Sequence, residues 1–76
     1  MNAILWSGTL DNRYECTVEH TSQYKGQLRI FDNQTNSILL IEEVGISYGA
    51  TFGADMGDVS DWQNRCSEFI DTMASS

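Results

Sequence analysis

The chain is short of most things that carry chemistry. Its 76 residues hold no proline, one histidine, two cysteines and only four lysines and arginines. It has no low-complexity tract and no repeat at the periods of roughly 20–50 residues that mark solenoids and propellers. The longest strictly apolar runs are residues 3–6 and 38–41, far below the roughly 20 residues of a membrane-spanning helix. The N-terminus shows neither the basic segment nor the apolar stretch of a secretory signal. These absences point to a soluble, cytoplasmic protein that does not act at a membrane. One histidine and two distant cysteines, Cys16 and Cys66, do not make a four-ligand zinc site. Both cysteines sit at apolar positions, which reads as buried thiols in a reducing compartment; a disulfide would require an oxidising one.

The scarcity of bases matters most. Eleven acids against four bases give a net charge of −7. Residues 1–39 carry four acids and three bases, whereas residues 40–76 carry seven acids and only Arg65. A field of that sign repels phosphate, so direct binding of nucleic acid or an anionic membrane is not expected, and a basic protein surface is the natural partner.

What is present reads as one α+β domain spanning residues 1–76. The segment AILWSGTL is apolar at Ile4, Trp6 and Leu10, with Gly8 in register, and DNR forms a turn. In YECTVEHT, Tyr14, Cys16, Val18 and His20 share one face and Glu15, Thr17, Glu19 and Thr21 the other, the period of a half-buried strand. TSQYKG connects to QLRIFD, where Leu28 and Ile30 point inward and Gln27, Arg29 and Phe31 outward. After the turn DNQTNS, SILLIEEV is apolar on both faces, which predicts a central strand or one covered by a partner. GISYGATFGAD reads as a loop, with a short extended piece and with Gly45, Gly49 and Gly53 at tight turns. From Val59, apolar residues recur at Trp62, Cys66, Phe69, Ile70 and Met73, so the spacing predicts an amphipathic helix over about 56–73, with Asp55 as N-cap. Four strands in an antiparallel β-meander, packed by one C-terminal α-helix, follow from these signals and the short connections.

Catalytic and metal readings fail on spacing. Read as a calcium loop from Asp55, the third, sixth and twelfth positions are Gly57, Ser60 and Cys66, which is not the required pattern. Cys16 and His20 share a strand face but lie roughly 13 Å apart. Glu42 and Glu43 are neighbours on a strand and face opposite ways. GATFG lacks the lysine of a phosphate loop. No enzyme, metal or cofactor is expected.

The acidic residues of the helix invite a different reading. Asp55 and Asp58 begin it, where carboxylates favour the helix dipole by about 0.3–1 kcal/mol each. Asp61, Glu68 and Asp71 run on toward the C-terminus, where the dipole opposes them, and Arg65 is the only base available to pair with them. With Asp58, Glu42 and Glu43 they form a candidate carboxylate row for a lysine- or arginine-lined channel on another protein. Tyr24, Phe31, Tyr48 and Phe52 exceed what so small a core needs, and Phe31 and Tyr48 are candidate interface anchors. Phe31, with Leu5 and Leu39 or Ile41 on the same side of the sheet, equally marks a homodimer surface.

In size, strand-rich first part, acidic helix DVSDWQNRCSEFID and lack of a catalytic motif, the chain resembles the small acidic proteins that phages encode against bacterial defences, the anti-CRISPR proteins in particular. That resemblance implies an inhibitor that binds a CRISPR surveillance complex or nuclease and blocks its nucleic-acid surface, acting as a DNA mimic. Acidic immunity proteins and antitoxins are similar in character, and a small phage structural or assembly protein is the competing class.

Overall fold

A computed structural model of the chain describes residues 3–75. Strands β1 (Ile4–Leu10), β2 (Tyr14–Ser22), β3 (Lys25–Asp32) and β4 (Ser37–Gly45) are followed by a short 3-10 turn, Ala50–Phe52, and the helix α1 (Met56–Ser75). The strands pair antiparallel in chain order, so the fold is the expected four-stranded meander with one C-terminal helix.

The turns form for local reasons. Asp11 and Asn12 both adopt left-handed φ, 55° and 52°, and the Arg13 N–H donates to the Leu10 carbonyl at 3.1 Å. Asp and Asn tolerate that backbone better than bulkier residues do. Asn36, with φ 56°, serves the β3–β4 turn in the same way. Gln23 and Tyr24 alone link β2 to β3.

One apolar face of the sheet carries the core. Cys16 and Val18 of β2 and Leu28 and Ile30 of β3 are fully buried beneath Trp62 and Cys66 of α1, and Ile46 closes one end. The strand alternation and the helical stripe therefore meet as their periods predict. Trp6 packs its ring against Trp62, with centroids 6.4 Å apart and planes tilted by 44°. Gly8 makes room for this, since a Cβ there would stand 3.1 Å from the Trp6 ring. Cys16 and Cys66 are free thiols meeting across the sheet–helix seam. Their mutual hydrogen bond, followed by burial, pushes the Cys66 thiol well above the ordinary range.

Three expectations are corrected. SILLIEEV is not central: β4 is an edge strand, paired only with β3. Nor do Leu5 and Leu39 share the outer face with Phe31. The ladder slips between Ile4 and Trp6 in β1, and in β4 opposite the Ile30–Phe31 step. Each slip inserts one residue, and one residue is enough to change faces. Leu5 and Leu39 consequently pack against the core, while Ile4 pairs with Glu19 and Ile38 with Phe31 on the outer side. Ile41, paired with Arg29, does lie on the outer face. The loop after β4 also departs from expectation, holding a 3-10 turn in place of an extended piece. Gly49 (φ 84°) and Gly53 (φ 77°) flank it in conformations that L side chains avoid, whereas Gly45 stays within β4.

The bulges are testable by stability. Leu28→Ala should cost about 2–5 kcal/mol. Leu39→Ala should cost on the order of 1–2 kcal/mol, and Ile41→Ala no more than about 0.5 kcal/mol. Urea midpoints at constant m-value report these differences. Equal losses for Leu39→Ala and Ile41→Ala would refute the bulge in β4.

Candidate partner-binding surface

Helix α1 begins as the sequence suggests. Asp55 caps it, accepting from the Gly57 N–H at 2.9 Å, while its own carbonyl takes the Val59 N–H at 2.9 Å. Trp62, Cys66 and Ile70 then turn inward, which leaves the opposite face in water.

The expected acidic residues do not behave alike. Asp58, a candidate for the exposed row, is only 7 % exposed. Its Oδ2 accepts the Ser47 N–H at 2.9 Å and its Oδ1 the Ser47 hydroxyl at 2.6 Å. The first turn of α1 lies over the loop that leaves β4, and Asp58 satisfies a backbone N–H that has no strand partner. It is thus withdrawn from the carboxylate row. Asp61, Glu68 and Asp71 are exposed. Glu42, half-buried on the helix-facing side of β4, receives a two-pronged contact from Arg65, with Nε–Oε2 at 2.9 Å and Nη2–Oε1 at 3.0 Å. Glu43 is exposed on the outer side, 3.5 Å from Lys25 Nζ. Phe31 is half-buried on the outer face, and Tyr48 stands in the loop before α1, far along the chain from it. The eight proposed contact residues are therefore dispersed: Asp61, Glu68 and Asp71 along α1, Asp58 buried against Ser47, Glu42 on the helix-facing side of β4, Glu43 and Phe31 on the outer sheet face, and Tyr48 in the loop.

The pattern of ion pairs was not foreseen. Every lysine and arginine has a carboxylate partner: Arg13 with Asp32, Lys25 with Glu43, Arg29 with Glu19, and Arg65 with Glu42. Arg65 also reaches Glu68 at 3.8 Å. Four of the eleven acids are thereby matched one to one, leaving seven: Asp11, Glu15, Asp55, Asp58, Asp61, Glu68 and Asp71. Five of those seven belong to α1 and its cap. The chain spends its cations holding strands, turns and helix together, and the uncompensated charge collects on one element. The last turn of α1 contains no base to offset it. The sequence offered one clue, since Arg65 is the lone base after residue 39 and a cation in such surroundings will be claimed by a nearby carboxylate.

The strongest pair is Arg13–Asp32. It makes two contacts, 3.0 and 2.8 Å, and Asp32 also accepts the Gln34 N–H at 2.9 Å. It ties the β1–β2 turn to the β3–β4 turn, aided by the Asn33 N–H donating to the Arg13 carbonyl at 3.0 Å. The hydrogen bond from Arg13 holds the Asp32 carboxyl well below its usual range. The fork from Arg65 lowers Glu42 in the same sense.

Among the described residues no cluster of three or more metal-ligating side chains forms, and no helix is long and apolar enough to cross a membrane. An open groove of about 480 Å³ runs between α1 and the end of β4, lined by Tyr24, Val44, Ser47, Asp58, Asp61 and Trp62. A second, of about 360 Å³, lies in the loop against Tyr48 and Phe52. Compared with known proteins, the chain matches no family model, no curated protein and no solved structure.

Two outcomes follow. Asp32 and Glu42 titrate lower when folded than when unfolded, so protonation favours unfolding. Their stabilisation is complete above the unfolded carboxyl pKa of about 4 and is lost as pH falls toward the folded values. Thermal midpoints measured from pH 7 downward should drop below about pH 4, and Asp32→Asn should flatten that slope while lowering the midpoint at neutral pH. Separately, Asp58→Ala should cost about 1–3 kcal/mol by removing both hydrogen bonds from Ser47 to the carboxylate, whereas Asp61→Ala should change stability by less than about 0.5 kcal/mol. Equal effects in denaturant titrations would show that Asp58 is merely another surface acid.

Proposed function

We propose that the chain is a non-enzymatic inhibitor that presents the exposed carboxylates of α1 to a basic, nucleic-acid-binding surface of a bacterial defence complex of the CRISPR–Cas type. The observation that carries this reading is the separation of charge. All four bases are engaged internally, and five of the seven unmatched acids lie on α1 and its cap. Asp61 and Glu68 stand two turns apart, about 10 Å along the axis, which corresponds to about three phosphate steps of a DNA strand at about 3.4 Å each. Asp71 extends the row by one further turn. A helix so arranged offers a lysine- or arginine-lined channel the charge pattern of a backbone, without bases. The resemblance to anti-CRISPR proteins supplies the partner class, and electrostatics supplies the mode: fast, salt-sensitive association and competition with DNA.

A second reading rests on its own observation. Ile38 and Ile41 are each 53 % exposed, and with Phe31 they form an apolar corner on the outer face of β3 and β4. An assembly protein that pairs through this corner, as a homodimer or with a structural partner, would need such a patch.

The two readings separate on variants whose folding should be unaffected. Adding the chain to a purified CRISPR effector–guide complex with labelled target DNA should abolish DNA binding at near-stoichiometric ratio. The triple charge reversal Asp61→Lys, Glu68→Lys, Asp71→Lys should restore it with an unchanged circular dichroism spectrum. Asp58 is left intact because it supports the loop. DNA binding that persists with the native chain would sink the first reading. Sedimentation showing a dimer that Phe31→Glu dissociates would favour the second.

A further inference from the structure

The loop between β4 and α1 displays its largest side chains to solvent. Tyr48 is 63 % exposed, Phe52 81 % and Met56 88 %. Tyr48 and Phe52 flank the groove of about 360 Å³ over Gly53, Ala54 and Asp55, and Met56 follows Asp55 directly in the chain. A loop this rich in aromatics would ordinarily be held by burying them. Here it is held by polar tethers on its other side. The Ile46 N–H donates to the Tyr24 carbonyl at 2.9 Å, and the Ala50 N–H to the Gln23 carbonyl. The Gln23 amide bonds the Thr51 hydroxyl at 3.0 Å, and Asp58 takes both donors of Ser47. Gly49 and Gly53 supply the left-handed turns that the path demands. The backbone is thus fixed by contacts that do not involve the exposed rings, which stand free as preformed anchors.

The surroundings select what such anchors can meet. Between residues 44 and 64 the chain has no lysine, arginine or histidine, but it does have Asp55, Asp58 and Asp61. The nearest base along the β3 end, Lys25, is matched by Glu43. An anionic lipid surface would be repelled, and so would a second copy carrying the same acids. We propose that Tyr48, Phe52 and Met56 form an apolar docking site for a cationic protein surface, one that places an aromatic or aliphatic side chain into the groove with lysine or arginine beside it. This deepens, and rests on, the reading of α1 as a charge-presenting helix: the loop supplies the apolar hot spot and the helix the steering charge.

The site can be probed without the partner. 1-Naphthylmethylammonium carries an apolar ring and a positive charge, and 1-naphthoate carries the same ring with a negative one. In an NMR titration of the isotope-labelled full chain, the cation should give saturable shifts at residues 48, 52–54 and 56. The anion should bind at least about tenfold more weakly at low salt. Phe52→Ala should weaken the cation by at least about tenfold, with a melting midpoint unchanged within about 3 °C. Equal binding of the two probes, or shifts that survive Phe52→Ala, would overturn the proposal. So would sedimentation showing self-association abolished by Phe52→Asp, or co-flotation with phosphatidylserine vesicles, because each assigns the patch another occupant. Failure here is distinguishable from failure of the inhibitor reading: lost probe specificity with DNA competition intact removes the groove alone, whereas specific probe binding without DNA competition removes the defence-complex partner alone.

Discussion

A single seam of side chains holds α1 against the sheet, and the rest of the molecule is arranged around it. Cys16, Val18, Leu28 and Ile30 offer a surface from the two inner strands, and Trp62 and Cys66 cover it. Small residues at its centre let helix and sheet approach closely, with thiol meeting thiol, while the Trp6–Trp62 contact fills one flank. Among the described residues no second core shares the load. Any function must therefore be carried by surfaces the seam does not use.

The ion pairs extend the same logic. Arg13 ties two turns together at one end of the sheet, and Arg65 ties α1 to the edge strand through Glu42. Both act between elements distant in the chain, where a two-pronged guanidinium contact adds geometry as well as attraction. Lys25 and Arg29 make only single, longer contacts to Glu43 and Glu19 on neighbouring strands, but with all four cations so placed most of the acidic surplus is left unmatched within the molecule. Charge on α1 is thus a consequence of how the fold uses its few bases, as well as of how many acids the chain contains.

Much of this architecture can be read from periodicity. The alternation in β2 and β3 and the stripe from Val59 to Met73 each involve one long regular element, and each places its residues as found. The failures are tertiary. A bulge adds one residue without altering composition, so the reversal of Leu5 and Leu39 leaves no mark in the pattern. The run SILLIEEV resembles a buried strand because apolarity on both faces ordinarily means cover on both faces; here no element among the described residues covers Ile38 and Ile41, each 53 % exposed. Asp58 resembles its neighbours at the step of three, and only its meeting with Ser47, eleven residues earlier, removes it from the surface. Asp61, Glu68 and Asp71 are legible because they stay exposed on the helix surface, with only the contact from Arg65 to Glu68 touching the row.

Small domains have little stability to give away, typically about 5–15 kcal/mol in all. This chain nevertheless lines up carboxylates against the helix dipole and leaves Phe52 and Met56 almost wholly exposed. Neither feature helps the folded state. Lysines at the next helical turn would relieve the first, and polar residues at the second would cost the loop nothing, since its backbone is secured through Gln23, Tyr24 and Asp58. The two features adjoin one another, at the start of α1 and along its outer face. Exposed apolar groups by themselves would invite aggregation, and a row of acids by itself would only solubilise. Side by side they are what motivates our proposal of a partner that offers both an apolar side chain and positive charge.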